Sequence, residues 1–238
     1  MAECQACHAD CLHKLCARKI PVFSSLNPAE LEHLSAIARH RQYPKGGILT
    51  RDGETLDSLV ILNEGSAKAF KLTPEGREQI LYVFSQGDFF GERNLLGSGR
   101  MSYTVEALEP LKTCSFSRGD FHGLLQTNPD IAIKIMEELE SRIERMERAL
   151  QTMGVRNLDS RIGSLLLEFS EKYGESVPEG VLIRLPLSRE GLANFLGIAR
   201  ETFSRKLNRL ETQGVIRSAG QKSILVLDQE ALRTDAGA

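Results

Sequence analysis

Between Gln42 and Phe116 the chain is punctuated by turn signals about every ten residues: Pro44-Lys45-Gly46-Gly47, Asp52-Gly53, Asn63-Glu64-Gly65, Pro74-Glu75-Gly76, Gln86-Gly87-Asp88 and Gly97-Ser98-Gly99. Apolar runs such as Leu59-Val60-Ile61-Leu62 lie between them. No helical period survives so many glycines, and short strands at this spacing predict an antiparallel sandwich or barrel. With 238 residues in total, the chain has room for a second, modest domain beside it.

The flanks read as helices. Asn27-Pro28-Ala29-Glu30 has an Asn cap, Pro in the first turn and an acid three places on, and Leu31, Leu34 and Ile37-Ala38 follow at helical spacing. A second helix begins at Asn128-Pro129-Asp130. Along it Ile135, Leu139, Ile143, Met146, Leu150 and Met153 recur at steps of 4, 4, 3, 4 and 3, a heptad seam. Glu137, Glu138, Arg142, Glu144, Arg145, Glu147 and Arg148 make its other faces charged. A long helix with one narrow apolar seam predicts a homodimer; the alternative is a helix packed on its own domain. Gly154 is a candidate hinge. Beyond it the pattern predicts a helix from Leu158 to Tyr173, a Gly/Pro-marked loop, two helices close together and a short hairpin.

The formal net charge is −2, so any nucleic-acid contact must use local positive charge. From Arg184 to Arg233 there are nine Lys/Arg against five Asp/Glu, a net of +4. Within this basic segment Leu187 to Leu207 follows helix-turn-helix logic. Ser188 caps the first helix, Leu192, Ala193 and Leu196 face inward, and Gly197 supplies a left-handed turn position. In the second helix Phe203, Leu207 and Leu210 face inward, leaving Glu201, Ser204, Arg205 and Lys206 outside. Arg can grip guanine with two hydrogen bonds and Glu can accept one from cytosine, the chemistry of major-groove reading. Arg189, Arg200 and a wing residue, Arg217, complete the candidate DNA-binding set.

Four of the five cysteines, Cys4, Cys7, Cys11 and Cys16, fall within thirteen residues; the fifth is Cys114. The N-terminus lacks the charged start and apolar run of a signal peptide, and no apolar stretch approaches the ~20 residues of a membrane span, so a soluble, cytoplasmic protein is expected. In a reducing compartment such clustering reads as metal binding or redox chemistry. His8 and His13 lie among the cysteines and open a Cys/His zinc alternative; a dithiol–disulfide switch with Cys114 is another. His33, His40 and His122 read as surface or packing residues. No G-x-x-x-x-G-K-[ST], G-x-S-x-G or H-E-x-x-H motif occurs, and carboxylates are spread along helices, so no enzyme is expected.

Glu201-Thr202-Phe203-Ser204-Arg205 resembles the E-x-x-S-R recognition signature of the fumarate and nitrate reduction regulators (FNR), the oxygen-sensing branch of the superfamily that includes the cyclic-AMP receptor protein. Gly87-Asp88-Phe89-Phe90-Gly91-Glu92 and Gly97-Ser98-Gly99 resemble its roll turns, Ala107-Leu108-Glu109 followed by Cys114 its lone central cysteine, and Asn157 to Arg161 the start of its DNA-binding domain. The resemblance covers nearly the whole chain. It implies an α+β protein with a Cys-rich leader at 1–19, a cyclic-nucleotide-binding-like β-roll (jelly roll) at 20–127, a dimerisation helix at 128–156 and a winged helix-turn-helix at 157–238.

In that family three N-terminal cysteines and the central one hold a 4Fe–4S cluster, one per subunit, and thiolates are the preferred donors for such a group. Here Cys4, Cys7, Cys11, Cys16 and Cys114 offer one thiol more than needed. The family's usual leader spacing is C-x2-C-x5-C. Cys4 and Cys7 match it, and the third leader ligand is Cys11 or Cys16, with Cys16 favoured for its nearness to Ile20-Pro21-Val22-Phe23. The resemblance also implies RNA polymerase as a partner and palindromic promoter DNA with TTGAT-like half-sites, read by Glu201, Ser204 and Arg205. Cyclic-nucleotide relatives carry F-G-E and then an Arg-Ser pair. Phe90-Gly91-Glu92 is present, but Ser102-Tyr103 occupies the place of the pair and Arg100 lies two residues early. An unpaired buried phosphate is costly, so no cyclic nucleotide is expected and Glu92 reads as a relic or a structural carboxylate.

Overall fold

A computed structural model describes residues 20–24, 26–93, 100–154, 158–220 and 222–236. Its contacts divide them into two units, one running to Lys71 and resuming over Leu81–Arg142, the other holding Leu72–Ile80 and the chain from Ile143 onward. The architecture is mixed α+β, as expected: a two-sheet roll, a long helix and a winged helix-turn-helix.

The first unit opens with a 3-10 turn, Pro21–Phe23, and helix α1, Pro28–Ile37. The Asn27 carboxamide oxygen accepts from the Ala29 and Glu30 amides at 3.0 Å each, and Glu30 Oε2 accepts from the Asn27 amide at 2.7 Å, closing a full capping box. Eight strands follow: β1 Arg39–Tyr43, β2 Ile48–Thr50, β3 Ser58–Glu64, β4 Ala67–Leu72, β5 Glu78–Phe84, β6 Phe89–Phe90, β7 Thr104–Ala107 and β8 Leu111–Ser117. They form two sheets, β1-β8-β3-β6 and β2-β7-β4-β5. The unbroken run Leu59–Leu62 in β3 has a physical reason: both faces of its sheet are covered. Leu59 and Ile61 join a core with Val22, Phe23, Leu34 and Phe121, while Val60 and Leu62 meet Ala69, Phe84 and Val105 of the second sheet. Between β3 and β4, Gly65 sits at φ +86°, and a Cβ there would stand 2.6 Å from the Pro110 carbonyl oxygen, so only glycine fits.

Helix α2, Arg118–Thr127, precedes the long helix α3, Pro129–Gly154. Ile131 and Ile135, at 0% and 7% exposure, dock α3 on the roll. The second unit holds α4, Leu158–Tyr173, strands β9 Gly174–Val177 and β10 Gly180–Arg184, helices α5 Arg189–Leu196 and α6 Arg200–Thr212, strands β11 Ile216–Ser218 and β12 Ser223–Val226, and helix α7 Gln229–Ala236. Two expectations change. The stretch after Tyr173, read as a loop, forms β9 and β10, which join β12 and β11 in one sheet of order β11-β12-β10-β9. The terminal helix α7 was not anticipated; it buries Leu232 completely and starts where Asp228 Oδ1 accepts from the Ala231 amide at 2.9 Å.

Candidate nucleic-acid interface and sensory elements

The helix-turn-helix is built as its residues require. Ser188 Oγ accepts from the Gly191 amide at 3.1 Å, capping α5. Gly197 ends α5 at φ 66°, ψ 36°, the left-handed position that turns the chain into α6. Leu192, Leu196, Phe203, Leu207 and Leu210 are all buried. Glu201 and Arg205 are exposed, and Ser204, at i+3 from Glu201, shares their face. That face is opposite the packing face, so the protein has an exposed helix able to present an acceptor, a hydroxyl and a guanidinium fork to a groove. Glu201 also lies in the first turn of α6, where the helix dipole favours an anion.

Other candidate DNA residues have protein partners. Lys206, expected among the DNA contacts, has a partner within the protein: its ammonium lies 2.7 Å from Asp159 Oδ1 and 2.8 Å from Oδ2, strutting α6 against α4. Arg209 reaches the same carboxylate at 3.4 Å. Arg189 donates to Ser218 Oγ at 3.0 Å, and Glu211 accepts from the Ser218 amide at 2.8 Å. These bonds tie the start of α5 and the end of α6 to the wing strand β11. Arg217 pairs with Glu179 across the wing sheet, both half-exposed. Arg200 is exposed.

The expected seam positions on α3 differ in burial. Ile135 is in the roll's core and Leu139 packs against it, so the first two expected seam positions serve their own domain. Ile143 and Met146 are 56% and 48% exposed. Ile133 and Met136, off the heptad positions, are 51% and 60% exposed. The side chains of Leu150 and Met153 lie outside the described residues.

Arg142, grouped with the solvated face in the sequence, is instead buried to 13% side-chain exposure. It donates to the Phe89 carbonyl at 2.7 Å and to Glu138 Oε1 at 3.3 Å, stacks its guanidinium 4.4 Å from the Phe89 ring centroid, and lies 3.8 Å from Glu92 Oε1. Glu92 is therefore a structural partner of α3, although its buried Oε2 makes no hydrogen bond with a described residue. Tyr103 lies near it, its phenol pushed well above the usual tyrosine range by burial and then by the Glu92 charge. Aromatic packing of Tyr82 on Tyr103 and Phe84 on Phe90 fills this part of the roll.

Cys114 is on β8, 4% exposed, and its thiol donates to Asn63 Oδ1 at 3.3 Å. It shares one core cluster with Ile20, Val22 and Phe23, the point at which the described chain leaves the leader. Cys4, Cys7, Cys11 and Cys16, with His8 and His13, lie outside the described residues. Among the described residues no group of three or more Cys, His, Asp or Glu side chains is arranged to hold a metal ion, and no helix is long and apolar enough to cross a membrane.

Residues 40–128 match the cyclic nucleotide-binding domain and residues 160–234 the Crp-like helix-turn-helix domain. The "cAMP-activated global transcriptional regulator CRP" of Pasteurella multocida is 32% identical over 205 residues, 85% of this chain and 96% of that protein. "Electron transport regulator A" of Shewanella oneidensis is 28% identical over 232 residues, 97% of this chain and 90% of that protein. Among solved structures, FixK2 from Bradyrhizobium japonicum superposes with a TM-score of 0.74 at 24% identity, covering 85% of this chain and 98% of that one.

Proposed function

The chain belongs to the CRP/FNR family of DNA-binding transcription regulators, and from that premise we propose that it acts as a homodimer sensing oxygen or redox state through a 4Fe–4S cluster. The observation that carries this reading is the placement of Cys114: a buried thiol in the same cluster as Ile20–Phe23, with Cys16 only four residues before Ile20. Four clustered leader thiols and one central thiol fit the soft donor set such a group needs. Three leader cysteines and Cys114 would hold it, and it would supply an oxygen-labile link between leader and roll. The chain's own residues do the rest. Ile20, Val22 and Phe23 anchor the leader on the roll, Ile131 and Ile135 anchor α3 to the same core, and the apolar residues Met136, Ile143 and Met146 offer a face for a second subunit. Each subunit then presents Glu201, Ser204 and Arg205 to one half-site of a palindrome, TTGAT-like by the family's signature, in a promoter that RNA polymerase also engages.

Anaerobic purification tests this. The wild type should be brown, with iron and acid-labile sulfide that fall on exposure to air. Cys114→Ala should lose both, since no other cysteine lies outside the leader, whereas the four leader Cys→Ala variants should divide three to one, with one unaffected. A colourless, iron-free protein carrying zinc or a reversible disulfide supports the thiol alternative. Normal iron in Cys114→Ala overturns the ligand set.

A further inference from the structure

We propose that the cleft between the two sheets of the roll, at the β1 edge, is a binding site for a small organic acid with one anionic head and an apolar body. The cavity is about 220 Å³, below the ~300–1,000 Å³ typical of pockets for drug-sized ligands, which sets the size of the guest. Its origin lies in the strand pattern. On the face of the first sheet turned toward the second, β3 and β6 contribute Val60 and Phe90, but β8 contributes Thr113, Ser115 and Ser117, and β1 contributes Arg39 and Arg41. Across β8 and β1 apolar packing is confined to the end held by Leu111 and Tyr43, and beyond it the sandwich opens toward β1. Leu49, Leu56, Val60 and Phe90 line the apolar part.

The polar groups specify the charge of the guest. Ser115 Oγ donates to the Arg39 carbonyl at 3.3 Å and Thr113 Oγ1 to the Arg41 carbonyl at 3.5 Å, so neither hydroxyl has its proton free for an anion. The guanidinium groups are the cationic donors left. Arg39 and Arg41 stand two apart on an edge strand, share one face, and make no side-chain ion pair or hydrogen bond with a described residue. Charged residues on edge strands also discourage strand addition, but that role needs no cleft lined with apolar side chains. A guanidinium fork suits a carboxylate. Asp57, also in the lining, opposes a second anionic group.

The test titrates the full-length protein with sodium benzoate and sodium hexanoate, following the backbone amides of residues 39–43 and 113–117 by NMR. Benzamide serves as the neutral control, phthalate as the dianion and an octaglutamate peptide as the macromolecular control. Both monoacids should shift those amides, benzamide should not, and phthalate should bind more weakly. The exposed double variant Arg39→Gln/Arg41→Gln, which leaves the core untouched, should weaken benzoate at least about tenfold. No shift with either acid up to about 10 mM, in the weak-binding range, overturns the proposal, as does benzoate binding unchanged in the double variant. Arginine-dependent binding of octaglutamate without the small acids also overturns it, and assigns the patch to an acidic protein partner.

Discussion

At the scale of single residues, position separates the proposed readers from a structural strut. Glu201, Ser204 and Arg205 share an exposed face of α6, whereas Lys206, one residue on, is held by Asp159. Arg205→Ala should cost about 1–3 kcal/mol of specific binding and relax preference at the guanine of each half-site. Glu201→Val should change the preferred sequence, because a carboxylate near phosphates is tolerated only through specific base contacts. Binding selections on randomised half-sites check both, and an unchanged site preference in the two variants would remove α6 from the reading role. Tyr103 gives a pH prediction. Its folded pKa is raised above the unfolded value near ~10, so the native state keeps a proton that the unfolded chain loses. Its contribution to stability is complete below pH ~10 and is lost as the pH rises beyond it. Urea unfolding of Tyr103→Phe between about pH 8 and 11 should show a flatter alkaline decline than wild type.

At the scale of elements, α3 does two jobs along its length. Its first turns belong to the roll through Ile131 and Ile135; beyond Arg142, Ile143 and Met146 are each about half exposed. In the proposed dimer, Ile143→Glu should give a monomer by light scattering with the roll's unfolding transition intact, because a charge there has no compensating partner in the seam. Ile135→Ala should instead destabilise the roll by about 2–5 kcal/mol, the usual cost of a large-to-small core change. A dimeric Ile143→Glu protein would move the interface off this face. The difference between Ile135 and Ile143 was not legible in the sequence, because two steps of four place them on one stripe without saying how far the roll covers the helix. Arg142 was illegible for a related reason: a lone Arg in a charged helix looks solvated until Phe89 and Glu92, some fifty residues earlier, are brought beside it. What could be read was local. Asn27 caps through a side chain that reaches only its own first turn, and Gly46, Gly53, Gly65, Gly76, Gly87 and Gly197 act through their own positive φ, each where its residue type demanded; the expected turn at 97–99 lies outside the described residues. Strand β9, by contrast, is polar along most of its length and forms because β10 offers it an edge, a partner no window of sequence displays.

For the whole molecule the governing fact is charge distribution. A chain of net charge −2 carries a C-terminal segment of +4, so its affinity for DNA should depend steeply on salt and on how many subunits engage at once. In the proposed dimer each subunit contributes its own phosphate contacts. A monomeric Ile143→Glu protein should then show about half the wild-type slope of log affinity against log salt, and should bind a single half-site as well as a palindrome. In the same reading the wing should tune this quantity. Arg217 is paired with Glu179 in the free protein, so a phosphate must compete with that carboxylate for the guanidinium. Arg217→Ala should weaken binding to every sequence alike and lower the slope by about one unit for each Arg217 that meets a phosphate. Glu179→Gln acts in the opposite direction: it removes the competitor and a repulsive charge while leaving the wing sheet paired, so binding should tighten on cognate and random DNA equally. Fluorescence anisotropy across a salt series on both DNAs measures each slope. If Glu179→Gln left affinity unchanged while Arg217→Ala reduced it only on the cognate site, the wing would be reading bases, and the division between a reading helix and a phosphate-gripping wing would fall.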